Sequence, residues 1–218
     1  MGLVTLLSIF TYSGCLTQGI DFAGGRALRV SDVAARGDAA RRASVRLVIQ
    51  GLDADTLTED DLTYAQKHLN IISGLYGLLR PLDLIQPYRL EMGSRLSTRR
   101  GKNLYAFWGS RPTEVCNEVT ASHENRTVVC LASGEYIRAI QPQRLAGPFV
   151  TCHFKEIREG VPRTIGFVAK KARGTMARYM VRSRVEDEDG LKEFGEDGYA
   201  FEPGLSSDED LVFVRDRP

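Results

Sequence analysis

Residues 149–184 read FVTCHFKEIREGVPRTIGFVAKKARGTMARYMVRSR, and this stretch decides the predicted fold. β-Branched and aromatic residues lie on both sides of Glu159-Gly160, so Phe149–Ile157 and Arg163–Val168 are predicted to pair as a β-hairpin. Residues 170–184 then change to a helical pattern. A hairpin that leads directly into a helix is not a regular alternation of parallel strands and helices. The stretch therefore favours an α+β fold, a mixed sheet with flanking helices.

The other predicted elements fit the same class. A helix is expected to begin after Thr58, because three acids follow in its first turn and Thr58 with Asp61 has nearly the spacing of a capping box. Further predictions are a helix over 104–121 with a bend at Gly109–Pro112, a strand at Arg126–Leu131, and a terminal hairpin of Gly198–Phe201 with Leu211–Val214.

The net charge of +1 hides an uneven distribution. Nineteen basic and eight acidic residues lie between 80 and 184, whereas three basic and twelve acidic residues lie between 185 and 218. The near-neutral total argues against a nucleic-acid partner, but the basic middle of the chain favours an anionic one. The 43% of apolar residues can build a core, and no apolar run is long enough to cross a bilayer. We therefore expect a cytoplasmic protein without a membrane partner.

Residues 1–46 differ from the rest of the chain. They contain Arg but no Lys, many Ala and Gly residues, and no sustained helical or strand period. Such a segment is hard to place in a packed core, so we expect either a poorly ordered extension or a replaced N-terminus, and we place the folded domain at 47–218. The four cysteines are widely spaced, which predicts buried reduced thiols, and no cofactor is expected. They are Cys15, Cys116, Cys130 and Cys152.

The strongest charged feature is the predicted helix over 170–184. Seven basic residues and no acid lie between Arg163 and Arg184. Like charges at helical spacing repel one another, so an anion is expected against them. Nucleic-acid phosphate, a phosphorylated small molecule and the chain's own acidic tail from Glu186 all fit at this point. The candidate binding residues are Lys170, Lys171, Arg173, Arg178 and Arg182.

A second candidate is the glycine-rich segment Ser73–Leu78 (SGLYGL). We predict a helix, a glycine hairpin and a second short helix here. Between two helices such a turn presents backbone amides to a phosphate, because glycine allows close approach and the second helix begins with a positive dipole. Arg80 is placed to add a charge-assisted contact. The candidate residues are Gly74, Tyr76, Gly77 and Arg80.

Several motifs, in order and spacing, resemble the bacterial peroxide stress protein YaaA family over roughly residues 47–217. They are Tyr64–Leu69 (YAQKHL), Ile72–Asp83 (ISGLYGLLRPLD), Gln86–Met92 (QPYRLEM), Gly101–Tyr105 (GKNLY), Phe107–Gly109 (FWG), Leu131–Ser133 (LAS) with Glu135-Tyr136, and Ala169–Gly174 (AKKARG). The family's N-terminal strand with a Ser-Pro-Ala-Lys motif has no counterpart in residues 1–46. Gly134 and Val168 stand where the family more often has a polar residue and Tyr.

The resemblance implies a cytoplasmic, non-enzymatic protein of the hydrogen peroxide response that lowers free intracellular iron and binds DNA. It also implies one α+β domain with a basic cleft, to which Lys170, Lys171 and Arg173 would contribute, and a helix-hairpin-helix at Gly74–Asp83. A helix-hairpin-helix contacts the phosphate backbone, so we expect double-stranded or structured DNA to be recognised by shape rather than by sequence.

An enzyme or sensor acting on a phosphorylated small molecule is the alternative. The same cations would then line a pocket, with Ser133, Glu135 and Tyr136 at its mouth. The two hypotheses differ in the shape of the site, because a small ligand needs a closed cavity and a duplex needs an open groove. Direct iron binding is disfavoured, since the three His residues show no ligand spacing.

Overall fold

A computed structural model describes residues 3–8, 21–22, 28–29, 51–85 and 88–216 of the 218-residue chain. The described strands are β1 (Val4–Ser8), β2 (Asp21–Phe22), β3 (Leu28–Arg29), β4 (Leu69–Ser73), β5 (Gly77–Leu79), β6 (Leu84–Ile85), β7 (Tyr88–Arg89), β8 (Val128–Cys130), β9 (Phe149–Arg158), β10 (Val161–Arg163), β11 (Ala200–Phe201) and β12 (Asp210–Asp216). The described α-helices are α1 (Glu59–His68), α2 (Leu104–Trp108), α3 (Arg111–Thr120), α4 (Gly134–Ile137), α5 (Gly166–Arg182) and α6 (Glu188–Lys192).

Eight of the described strands form one mixed sheet. Their order is β11-β12-β9-β8-β1-β4-β5, and β10 pairs with β9. β1 is parallel to β4 and β8, and β9 is parallel to β8 and β12, whereas β5, β10 and β11 are antiparallel to their neighbours. One hydrophobic core contains residues of α1, α5 and α6, and the core on the other face contains residues of α2, α3 and α4. The predicted mixed sheet with flanking helices is confirmed.

The central strand β1 was not predicted from the sequence. Leu3 and Leu7 are 1% exposed, and neighbouring side chains of the strand reach opposite cores, with Leu6 in one and Leu7 in the other. A strand buried on both faces is a continuous apolar run without alternation, so it shows no period. The expectation that residues 1–46 would not enter a packed core is therefore wrong for residues 3–8. The predicted domain boundary after residue 46 stays a prediction, because most of residues 9–50 lies outside the described residues.

Most local predictions between residues 58 and 216 are confirmed. The capping box at the start of α1 is present: Thr58 Oγ1 accepts from Asp61 N at 3.1 Å, and Asp61 Oδ2 accepts from Thr58 N at 3.1 Å. The bend near Gly109 separates α2 from α3, and the terminal hairpin is β11 with β12. The predicted strand at Arg163–Val168 is wrong beyond Arg163, because α5 already begins at Gly166.

Residues 69–79 form a β-hairpin, so the predicted helix-hairpin-helix is wrong. β4 follows α1 without a break, the turn Gly74–Tyr76 leads into β5, and Ser73 pairs antiparallel with Gly77. Residues 80–83 form a turn and no second helix. The segment Leu69–Ser73 (LNIIS) is fully buried and pairs with β1 as a strand of the sheet, and for this reason it does not form part of a helical hairpin.

Two further expectations concern thiols and membranes. Cys116, Cys130 and Cys152 are buried and free, as predicted, whereas Cys15 lies outside the described residues. Within the described ranges, no helix combines the length and the apolar character that crossing a bilayer demands.

Candidate anion-binding site

The carboxyl ends of the parallel strands β1, β4 and β8 lie at one edge of the sheet. β4 ends at Ser73, and Leu131–Ser133 lead from β8 into α4. β1 lies between β4 and β8, so the order of the strands along the chain reverses at this point. In open sheets, ligands bind in the crevice where the strand order reverses. This edge is therefore the place where a binding site is expected.

Lys170 and Arg173 are the two candidate cations of α5 that lie toward this edge. Lys170 interacts electrostatically with the carboxylates of Glu91 and Glu135, and Arg173 interacts with Cys130 at the end of β8. The two cations are three residues apart on the helix, so their side chains are neighbours. Burial lowers the pKa of the Lys170 ammonium, and the Arg173 charge lowers it further. Two positive charges are thus held close together at a half-buried position.

Arg173 has no counter-charge among the described residues. Its side chain is half-buried, and burial lowers the pKa of its guanidinium. Its Nε is enclosed without a hydrogen-bond partner, and it forms no ion pair with a described carboxylate. The thiol of Cys130 does not neutralise it, because burial raises the pKa of that thiol to about 12 and keeps it protonated. A buried charge without a partner is destabilising, so this guanidinium is well placed to bind an anion.

The carboxylates of Glu91 and Glu135 interact with Lys170, and hydroxyl groups lie near Glu135. Glu135 Oε1 accepts a hydrogen bond from Gly93 N at 2.6 Å, and the Tyr105 hydroxyl donates to the backbone oxygen of Glu135 at 2.9 Å. The Tyr136 side chain is fully buried, and burial together with Tyr88 and Glu135 raises the pKa of its hydroxyl. The structure therefore places Glu135, one residue of the small-molecule hypothesis, near Lys170, and it places the Tyr136 hydroxyl near Glu135.

Two backbone amides of the glycine turn are bound within the hairpin and are not available to a ligand. Ser73 Oγ accepts from Leu75 N at 3.2 Å and from Tyr76 N at 2.9 Å, and it also shares a short hydrogen bond with the Tyr88 hydroxyl. The amides of Leu75 and Tyr76 are thus already bound within the hairpin. Tyr76 packs edge-on against Tyr88, with ring centroids 5.3 Å apart.

The two glycines of the turn serve the packing of the hairpin. A Cβ on Gly74 would lie 2.5 Å from Leu90 O. Gly77 has a φ of 79°, and a Cβ there would lie 2.9 Å from the Trp108 ring, whose Nε1 donates to Gly74 O at 2.9 Å. Gly74, Tyr76 and Gly77 are therefore residues that shape the hairpin, and we do not count them among the anion-binding residues.

The remaining candidate cations lie elsewhere, and most are already paired. Lys171 Nζ is 3.0 Å from Asp197 Oδ2, and Arg178 pairs with Glu196 at 2.9 Å and with Asp53 at 3.3 Å. The acids come from the tail that the sequence suggested as one possible anion and from the segment before α1. Of the two remaining candidate cations, Arg80 pairs with Asp83 at 2.9 Å and Arg182 is exposed.

One cationic segment was missed by the sequence analysis. The basic loop, residues 93–103, carries four exposed cations, and none of them forms an ion pair with a described residue. It begins at Gly93, which donates to Glu135, and it ends just before Tyr105, whose hydroxyl donates to the Glu135 backbone oxygen, so both ends of the loop lie near Glu135. The sequence feature that indicates this loop is the absence of any acid between residues 92 and 113. The four cations are Arg95, Arg99, Arg100 and Lys102.

Comparisons with known proteins agree on one family. The family model described as "Peroxide stress protein YaaA" matches residues 46–205. A UPF0246 protein of Caulobacter vibrioides (strain NA1000 / CB15N) is 52% identical over 171 residues, which cover 78% of this chain and 67% of the relative. Two others, from Acaryochloris marina and Magnetococcus marinus, are each 51% identical, over 77% and 76% of this chain and 66% and 64% of their own lengths.

Proposed function

The chain belongs to the peroxide stress protein YaaA family, and we propose that it is a non-enzymatic member that binds the phosphate groups of DNA at Lys170 and Arg173. The observation that carries the proposal is the half-buried Arg173 guanidinium, which no described carboxylate neutralises. A phosphate oxygen accepts strong hydrogen bonds from guanidinium and ammonium groups. A phosphate bound at this edge would supply the counter-charge that the described residues do not provide for Arg173.

The basic loop favours a polymeric anion over a single phosphate group. Its four exposed cations follow Gly93, which donates a hydrogen bond to Glu135, and the Glu135 carboxylate interacts with Lys170. A single phosphate group carries at most about two negative charges, fewer than these four cations together with Lys170 and Arg173. DNA carries one negative charge per roughly 1.7 Å of helix axis, so a short duplex offers phosphates to both segments.

We propose, in addition, that the protein acts in the peroxide response by lowering free intracellular iron, as its family resemblance implies. The proposal names no iron ligand: in the part of the chain that the structure describes, no group of three or more His, Cys, Asp or Glu side chains could hold a metal ion. Whole-cell electron paramagnetic resonance of chelated iron tests it. After peroxide treatment, we expect more chelatable iron in a deletion strain than in the same strain that carries this chain, and equal signals would contradict the proposal.

Fluorescence anisotropy with a labelled duplex of about 25 base pairs tests DNA binding. Wild-type affinity should fall steeply between 50 and 300 mM salt (concentrations chosen for this assay), with a log-log slope of about −0.9 for each phosphate neutralised. We expect Lys170→Gln to weaken binding and to reduce the magnitude of that slope by about 0.9, because one phosphate contact is lost. The double variant Arg99→Gln/Arg100→Gln should reduce the slope by up to about twice as much.

The matched control is Lys67→Gln, which removes one exposed cation from α1. It should leave the slope unchanged. The proposal fails if wild-type binding does not depend on salt, or if Lys170→Gln and Lys67→Gln have the same effect. Circular dichroism of each variant shows whether it is folded.

A phosphorylated small molecule is the second candidate ligand. It is favoured by the enclosure of Arg173, by the Glu135 carboxylate close to Lys170 and by the Tyr136 hydroxyl near Glu135, at the sheet edge where small ligands bind. A thermal-shift screen with nucleotides and sugar phosphates tests it. A ligand that stabilises the wild type but not Lys170→Gln, and that DNA does not displace, would favour this function over DNA binding.

A further inference from the structure

We infer that Phe167 is a stacking platform for an unpaired base of the nucleic acid whose phosphates bind at Lys170 and Arg173; this inference rests on the proposed function. Phe167 lies in the first turn of α5, and 62% of its surface is exposed. Among the described residues, it is the one aromatic side chain in the group of exposed large apolar residues, which otherwise consists of Leu84, Val161 and Leu205.

Phe167 begins a continuous ridge on α5. Residues spaced by three on a helix are neighbours, about 5 to 6 Å apart, and a series at i, i+3 and i+6 forms one row of side chains. The row runs from the exposed ring of Phe167 through Lys170 to the half-buried Arg173. The aromatic surface and the two cations are therefore adjacent parts of one surface.

The chemistry of this ridge selects a nucleotide. Arg163 is also exposed and lies four residues before the ring in sequence, and no acid lies between Arg163 and Arg184, so the surroundings of Phe167 favour an anionic partner. The ring itself favours a partner with a flat face. A nucleotide carries both groups, a phosphate and a base, on one sugar.

The base must be unpaired, because bases within a duplex are stacked on each other and do not offer a face to a side chain. Stacking on an aromatic ring does not depend on which base is present, so we expect little sequence preference. The occupant is thus a single-stranded segment, or a base displaced from a duplex, at the first turn of α5.

Competition between two single strands tests the inference. The probes are labelled dT20 and a strand of equal length in which abasic residues replace the central nucleotides, so that the phosphates are kept and bases are removed. Wild type should bind dT20 about 5- to 150-fold more tightly than the abasic strand, the range expected for one stacked base. Phe167→Leu should lose this preference, whereas Phe167→Tyr should keep it because the aromatic face remains.

The salt dependence separates this inference from the proposed function. Phe167→Leu should leave the log-log salt slope unchanged, because no phosphate contact is removed, whereas Lys170→Gln should reduce it. Leu205→Ser, which changes an exposed apolar residue elsewhere, should behave like the wild type with both strands. Equal wild-type affinity for the two strands, or an unchanged preference in Phe167→Leu, would overturn the inference even if DNA binding itself is confirmed. Loss of the Lys170→Gln effect would instead overturn the proposed function.

Discussion

The acidic turn Glu196–Gly198 neutralises part of the basic helix α5, and removing its charges should strengthen DNA binding. Lys171 Nζ lies 3.0 Å from Asp197 Oδ2, and Arg178 Nη2 lies 2.9 Å from Glu196 Oε2. The double substitution Glu196→Gln/Asp197→Asn keeps the size of both side chains and removes both negative charges. We expect it to release Lys171 and, in part, Arg178, which keeps its contact with Asp53 at 3.3 Å.

The structure gives the size of the expected effect. The Lys171 side chain is 48% exposed and its partner 32%, so breaking this pair should cost about 0 to 1 kcal/mol of folding free energy. For DNA, each carboxylate removed at contact distance in water is worth about 1 kcal/mol, and salt screening reduces this value. We therefore expect DNA affinity to increase about three- to tenfold at moderate salt, with a slope steeper by up to about 0.9 for each cation that gains a phosphate.

The assay is duplex anisotropy across a salt series, and the control is Asp208→Asn/Glu209→Gln. The control removes the same charge from an exposed part of the acidic tail that forms no described ion pair with α5. If general repulsion between the tail and DNA is the whole effect, both double variants will bind DNA equally tightly with the same slope. That outcome would refute the reasoning that the acidic turn competes with DNA for α5.

Three further predictions concern stability. Glu156→Gln should lower the free energy of unfolding in urea by about 3 to 5 kcal/mol, because the side chain is 4% exposed and its carboxylate accepts from Arg215 Nη2 at 2.8 Å; a loss below about 1 kcal/mol would contradict this. The hydrogen bond from Arg215 holds the pKa of Glu156 below its usual value of about 4.3, so its stabilisation is complete above that pH and is lost as the pH falls through the lower, folded pKa. Acid titration should therefore destabilise the wild type more steeply than Glu156→Gln, and equal slopes would argue against the assignment. Gly77→Ala should destabilise by about 1 to 3 kcal/mol and change the fluorescence of Trp108, the single tryptophan, whereas Gly134→Ala, where a Cβ meets nothing, should do neither.

Local sequence signals predicted the elements whose causes are local. The capping box of Thr58 and Asp61 joins residues three positions apart, and the Glu159-Gly160 turn joins two strands that are adjacent in sequence. The hairpin after α1 was predicted wrongly because glycines spaced by three suit several turns. The structure of this hairpin depends on Leu69–Ser73, which forms a strand because β1, more than sixty residues earlier, provides its hydrogen-bonding partner.

The sequence predicted which cations are candidates for the site, but it did not predict which acids they contact in the fold. Lys170 and Arg173 were named from the basic run, but the same run also named Lys171 and Arg178, whose partners come from distant segments. Asp53 lies 125 residues before Arg178, and no spacing rule relates the two. A count of charges along a chain does not show which acids each cation meets in the fold.

The three-dimensional arrangement therefore divides α5 into two sides that face different acids. One side, with Lys171 and Arg178, contacts the acids of residues 53 and 196–197 and is neutralised within the protein. The other side, with Lys170 and Arg173, lies at the sheet edge, where Glu135 also holds the start of the basic loop. The DNA-binding surface that we propose combines two segments that are about seventy residues apart in sequence and does not require a helix-hairpin-helix. The length of basic sequence matters less than the side of the helix on which each cation lies.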